Sequence, residues 1–275
     1  MMALGARSGL GDLANSSRWQ PGTPPEALST ALFDGLVVVF EGVGPMRRLV
    51  NRGRTILCEI FGTDDPPGAE SRLSAKAFRR LALRARTEVA GDRVVRQEWC
   101  AVLAAVGYAS SETWRDRIRL RVVPSRRDID HARLSPLAPH RDTWGSRIMA
   151  QVNWWLPLYP LQEASTMVLW PQALRKAVAN NSRAWDIDEF KRSGGRYPLA
   201  PVATSPPDTD GTPVLIEPRV LLAFSGAHLH AGIRDHSGRT RFGIDSRSVW
   251  EPDRRAGRRA QNVDGAQIPD MWLRV

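Results

Sequence analysis

Two rhythms of apolar and polar positions divide the chain. Over Met46–Phe61, 74–89 and 97–106, apolar residues recur every three or four positions with Arg and Glu between them, which predicts amphipathic helices, with Ser71 and Ser74 placed as N-caps. Ahead of them, GLVVVF at 35–40 is short, β-branched and bounded by Gly35 and Gly42, the texture of a buried strand. Beyond Tyr108 the period falls to two: polar and apolar residues alternate through Arg117, Ile118, Arg119, Leu120, Arg121 and Val122, as in a half-buried strand. Further short strands are predicted at 148–156, 166–170, 214–216, 220–224 and 241–249, separated by Pro- and Gly-rich turns. Such spacing suggests an α+β, mainly β chain, with a barrel or jelly-roll core and N-terminal helices packed on its sheet.

The same pattern sets the expected organisation. Residues 1–27, rich in Gly, Ser and Pro, read as a loose leader with some structure near Trp19. Residues 28–115 form a strand plus helical scaffold of one catalytic domain, 116–250 its β core, and 251–275 a C-terminal tail. Within the core, 172–212 is too long for a simple connection and is expected to be a partly helical insert, a mobile cover over the mouth of the site, with Ser193-Gly194-Gly195-Arg196 as its most open stretch.

Composition narrows the class. Apolar residues make up 42% of the chain and there are 10 Trp, enough apolar surface to offset chain entropy in a globular fold. The net charge of +10 is nearly all arginine, with only Lys76, Lys176 and Lys191 as lysines, and reads as arginine used wherever a surface cation is tolerated. Arginines do cluster at 79, 80, 84 and 86 and again at 254, 255, 258 and 259, so an acidic partner is compatible with the sequence; no nucleic-acid partner is required. Cys58 and Cys100 have no metal spacing and read as buried thiols rather than a disulfide, which makes the cytoplasm the expected location. The longest apolar run, 36–40, is far short of a membrane span.

The candidate chemistry begins at His140-Arg141-Asp142. In an extended segment residues i and i+2 point to one side, so the imidazole and the carboxylate can converge on one ion. A third ligand is needed, and Phe224-Ser225-Gly226-Ala227-His228-Leu229-His230 offers two histidines on one face of a strand. Two histidines and a carboxylate form a facial triad that leaves positions on a metal open for other molecules. Gln151, Asn153 and Trp155 share a strand face shortly after the first two ligands and could line a pocket, with Trp144 as core or pocket wall.

These residues resemble the Fe(II)/2-oxoglutarate-dependent dioxygenases, particularly the phytanoyl-CoA hydroxylase-like branch, over about half the chain. The family's interval of six from Phe to His and eleven from His to Arg selects Phe224, His230 and Arg241. The resemblance implies a double-stranded β-helix, cupin-like core in which His140, Asp142 and His230 hold Fe(II) and Arg241 grips the distal carboxylate of 2-oxoglutarate. It implies that Gln151 and Asn153 lie at the co-substrate, and that Trp144, Trp155, Arg121 and His228 are candidate substrate contacts. Family members often carry Ser or Thr two positions after the arginine, where this chain has Gly243. The reaction implied consumes O2 and 2-oxoglutarate and oxidises a C–H bond of a small molecule, hydroxylation first, with desaturation or ring closure as other outcomes. Asp142 stands where related halogenases have a small residue, which disfavours halogenation. Arg119 and Arg121 could meet a carboxylate of an amino-acid-like substrate from bacterial specialised metabolism. Competing classes are a cupin-like metal-dependent isomerase or hydrolase, for which Arg241 would be dispensable, and a basic nucleic-acid-binding protein.

Overall fold

The computed structural model describes residues 16–129, 131, 133–193 and 197–266. In chain order it runs β1 (Ser16–Trp19), α1 (Pro25–Asp34), β2 (Val37–Phe40), α2 (Met46–Phe61), α3 (Ala75–Gly91), α4 (Arg93–Ala105), β3 (Thr113–Arg115), β4 (Arg119–Val123), α5 (Asp142–Ser146), β5 (Val152–Pro157), β6 (Met167–Trp170), α6 (Ile187–Arg192), β7 (Thr212–Pro213), β8 (Leu221–Ser225), β9 (Leu229–Gly232), β10 (Arg241–Trp250) and α7 (Glu251–Ala256). Seven strands form one sheet in the order β1-β2-β8-β5-β10, with β3 and β4 both on the far side of the long β10; β7, β6 and β9 form a second sheet. Only the pairing of β1 with β2 is parallel.

Alternation along the strands sorts the large sheet into two faces. Val38, Phe40, Leu120, Val122, Trp154, Leu156, Ala223, Phe242 and Ile244 join one core with α1 to α4. Their neighbours Val37, Val39, Trp155, Leu222 and Phe224 pack with Met167 and Leu169 of the small sheet in a second core. The helices therefore cover one face and the small sheet covers the other, and the site lies between the sheets.

Helix α2 keeps the bounds its periodicity predicts, and Ser74 caps α3 by accepting from Ala77 N. Ser71 does not cap a helix: it ends the 3-10 turn Pro66–Ser71, and its hydroxyl donates to Gly68 O. The capping residue of α4 is Asp92, which accepts from Val95 N and starts that helix earlier than the apolar rhythm suggests. The structure expected near Trp19 is β1, which pairs with β2, and α1 begins at Pro25, within the segment read as leader; residues 1–15 lie outside the described residues. The described part of 251–275 is not a tail either. It contains α7, Ala260 N donates to Met149 O, and Asp264 accepts from Arg141, the residue between His140 and Asp142. Both cysteines are free and half-buried. Among the described residues no helix is long and apolar enough to cross a membrane. In the basic C-terminal cluster, Arg254 and Arg255 pair with Glu251, and Arg258 with Asp253 and Glu26.

One buried carboxylate locks the start of β10. Glu70, wholly buried, accepts from the backbone and hydroxyl of Ser125 and from the hydroxyl of Thr240, the residue before Arg241. Glu70→Ala would leave these donors without acceptors, at roughly 1–3 kcal/mol for each group left unsatisfied. We expect a loss of about 3 kcal/mol and, for a chain of this size, a Tm lower by on the order of 6–10 °C. An unchanged midpoint in thermal or chemical unfolding would show that the network adds nothing to stability.

Candidate metal centre

His140 and His230 face each other across a local backbone pairing. His140 N donates to His230 O at 2.9 Å and His230 N to His140 O at 3.0 Å, while Gly232 N donates to Leu137 O; this pins the 137–140 loop along β9. Ala203 N donates to Pro139 O from the other side. The pairing sets the two imidazoles side by side, with ring centroids 4.2 Å apart. Asp142 opens α5, and its carboxylate lies 3.8 Å from His140 Nε2 and 3.9 Å from His230 Nε2. One ligand atom from each of the three residues lies within 4.8 Å of the others, and all three residues are buried.

The protonation states suit a cation. His140 Nδ1 lies 2.8 Å from Ala138 O and His230 Nδ1 lies 3.0 Å from His228 O. A carbonyl can only accept, so both Nδ1 atoms carry the proton and both Nε2 lone pairs face Asp142. Burial, reinforced by the other histidine, pushes His140 down to about 3, and burial also lowers His230, so both rings are neutral at neutral pH. Burial alone would raise Asp142, but the Arg247 guanidinium, followed by His230 and His140, holds it well below the usual carboxylate range. Two neutral imidazole nitrogens and one carboxylate, with their second atoms already hydrogen-bonded, fit a first-row divalent metal.

Around these three candidate ligands a chain of side chains fixes the Asp142 carboxylate. Gln151 Nε2 donates to Asn153 Oδ1 at 2.7 Å, Asn153 Nδ2 donates to Asp142 Oδ2 at 2.6 Å, and Arg247 Nη2 donates to Asp142 Oδ1 at 2.6 Å. Asn153 lines the cavity beside the ligands; Gln151 is not among its lining residues and acts through Asn153. Arg247 was not singled out from the sequence, although its parity with Arg241 and Asp245 along β10 puts it on the same face.

Arg241 lines the same cavity together with Arg121, Trp155, Phe224 and Asp245. Its Nε is buried and has no hydrogen-bond partner among the described residues, and burial, followed by the nearby Arg121 charge, pushes the group down to about 10. A cation so placed favours an anion beside it. Space for its fork exists because residue 232 is glycine: a Cβ there would stand 3.3 Å from Arg241 Nη2 and 3.0 Å from Pro136 Cβ. Arg121 is committed differently, its Nε donating to Asp245 Oδ2 at 2.7 Å, so the substrate-carboxylate role must compete with that pair.

Two predicted contacts stand away from the cavity. Trp144 is buried and its indole N–H donates to Asp264 Oδ1, while His228, wholly buried, lies within 3.3 Å of the Gly35 and Ser225 carbonyls; neither lines the cavity. Asp264 is a residue the sequence did not signal. It also receives Arg141 Nε, and the Arg141 guanidinium, 2% exposed, donates to the carbonyls of Ala173, Lys176 and Ala227. The residue between His140 and Asp142 thus anchors the loop that carries them. The start of the 172–212 segment is tied to this anchor, none of its described residues lines the cavity, and residues 194–196 lie outside the described residues.

No family model and no curated protein matches the chain. Solved structures do. The non-heme monooxygenase ThoJ in its apo form shares 13% identity at a TM-score of 0.45, over 84% of this chain and 81% of that one. EvdO2 from Micromonospora carbonacea var. aurantiaca, complexed with 2-oxoglutarate, shares 13% at 0.42, over 67% and 68%. EvdMO1 shares 14% at 0.34 over 55% of this chain, which spans only 30% of the EvdMO1 chain. Likenesses of this size do not decide what this chain does; its donor set and cavity must.

Proposed function

We propose that the chain is an Fe(II)/2-oxoglutarate-dependent oxygenase of the phytanoyl-CoA hydroxylase-like kind, with the two facing sheets as its double-stranded β-helix. On this reading it is a cytoplasmic enzyme that oxidises an unactivated C–H bond of a small molecule in bacterial specialised metabolism, by hydroxylation. The observation that carries this reading is a single cavity containing both a buried His-Asp-His donor set and a buried arginine with an unpartnered N–H.

His140, Asp142 and His230 would hold the iron, which supplies O2 activation coupled to decarboxylation of the keto acid. The chain's own residues do the rest. The Ala138 and His228 carbonyls fix the imidazole tautomers, and Asn153 and Arg247 keep Asp142 ionised and oriented. Arg241 offers a planar donor fork to the far carboxylate of 2-oxoglutarate, a match that a point charge would not reproduce. Trp155, Phe224 and Met167 give the cavity apolar walls that exclude water.

Anaerobic titration of metal-free protein tests this reading. A weak visible charge-transfer band should grow only when Fe(II) and 2-oxoglutarate are both present. Fe(II) binding with no response to 2-oxoglutarate would favour a cupin-like isomerase or hydrolase instead.

A further inference from the structure

Asp264 lies outside the cavity, yet it touches the chain on both sides of Asp142. Its bend is fastened to the body of the fold: Ala260 N donates to Met149 O, Gly265 N to Asn262 Oδ1, and Ala266 N to the Ser182 hydroxyl. The Asp264 side chain is 6% exposed and accepts from three segments at once. Oδ2 receives Arg141 Nε at 3.0 Å and Val178 N at 2.9 Å, while Oδ1 receives the Trp144 indole N–H at 2.7 Å. A bond between guanidinium and carboxylate is directional as well as strong, so it fixes both partners.

The three candidate ligands are not held alike. His140 and His230 are set by their own backbone pairing, which owes nothing to Asp264. Asp142 lies beyond that pairing, at the head of the five-residue helix α5. A helix so short has little stability of its own, so its tertiary contacts decide where it stands. Those contacts run through residues 141 and 144. The Arg141 guanidinium carbon lies 5.9 Å from the Trp144 ring centroid, and one carboxylate grips both side chains. Arg141 also donates to Ala227 O, three residues ahead of His230, and so ties the loop of the first two ligands to the segment of the third.

We infer that Asp264 is a positioning residue of the metal centre: through Arg141 and Trp144 it sets where the Asp142 carboxylate stands relative to the two imidazoles. The inference rests on the metal centre proposed above and is independent of the co-substrate. It makes the segment after α7 part of the site, acting on Arg141 from 123 residues away. The effect is directed at one ligand. With the histidines still in register, loss of Asp264 weakens the oxygen arm of the centre, so an ion that favours carboxylate should suffer more than one that imidazole suits.

Calorimetric titration of metal-free protein with Mn(II), the carboxylate-favouring ion, and with Ni(II), the imidazole-favouring one, tests it. Asp264→Ala should weaken Mn(II) about 10-fold or more, the range seen when a support of a metal ligand is lost, and Ni(II) by a smaller factor. That change leaves Arg141 an uncompensated buried charge, so Arg141→Met with Asp264→Leu, which removes the pair together, separates position from stability. The double variant should unfold at a higher temperature than Asp264→Ala and still bind Mn(II) about 10-fold more weakly than the wild type. Glu70→Ala, destabilised in another part of the fold, should bind both ions within about 2-fold of the wild type. If Asp264→Ala does not fold, the double variant set against Glu70→Ala gives the answer alone. Wild-type Mn(II) affinity in the folded double variant, or equal weakening of the two ions, overturns the inference and leaves Asp264 an anchor of the fold. A wild type that takes up neither ion overturns the metal centre itself, an outcome readable before any variant is made.

Discussion

His230→Ala is expected to abolish tight Fe(II) binding, whereas His228→Ala should leave it within a few-fold in the folded protein. Both histidines are buried and two residues apart, yet only His230 presents its Nε2 to Asp142; His228 meets the Gly35 carbonyl instead. Removing a hydrogen-bonding partner of a metal ligand typically costs roughly 10–100-fold in affinity, and removing one of three ligands should exceed that. Calorimetric titration of metal-free protein with Fe(II) measures it, with thermal unfolding as a control, since either change opens a hole in a packed region. Retained iron in His230→Ala together with lost iron in a folded His228→Ala would reassign the third ligand and with it the reading of the cavity.

The second large effect belongs to Arg241. If its unpartnered fork receives the 2-oxoglutarate carboxylate, Arg241→Ala leaves a desolvated anion without its cation, a loss of about 2–5 kcal/mol, or a factor of tens to thousands in affinity. Iron affinity should stay within a few-fold, because Asn153 and Arg247, rather than Arg241, hold the ligand carboxylate. Binding isotherms for Fe(II) and for 2-oxoglutarate on the folded variant separate the two. Unchanged 2-oxoglutarate affinity would remove Arg241 from the site and leave the metal centre to a different chemistry.

The sequence by itself determined what depends on near neighbours. Apolar residues every three or four positions set helix α2, and a hydroxyl just ahead of the next such run set the cap at Ser74. Alternation on β10 put Arg241, Gly243, Asp245 and Arg247 on one face, because these are properties of 3.6- and 2-residue repeats that act within one element. The spacing within His140-Arg141-Asp142 likewise brought two donors to one side before any packing was known.

Only the tertiary structure decided what depends on register between distant strands. The backbone pairing of His140 with His230 joins positions 90 apart, the Arg247 bond to Asp142 spans 105, and Asp264 meets Arg141 from 123 residues away. No local repeat encodes which of two histidines two residues apart turns toward a carboxylate; that follows from which carbonyl each Nδ1 finds once β9 is paired. The departure at Gly243 is the clearest case. Within its own strand it is a missing side chain, and only the pairing of β5 with β10 shows that an indole from the next strand already fills the space.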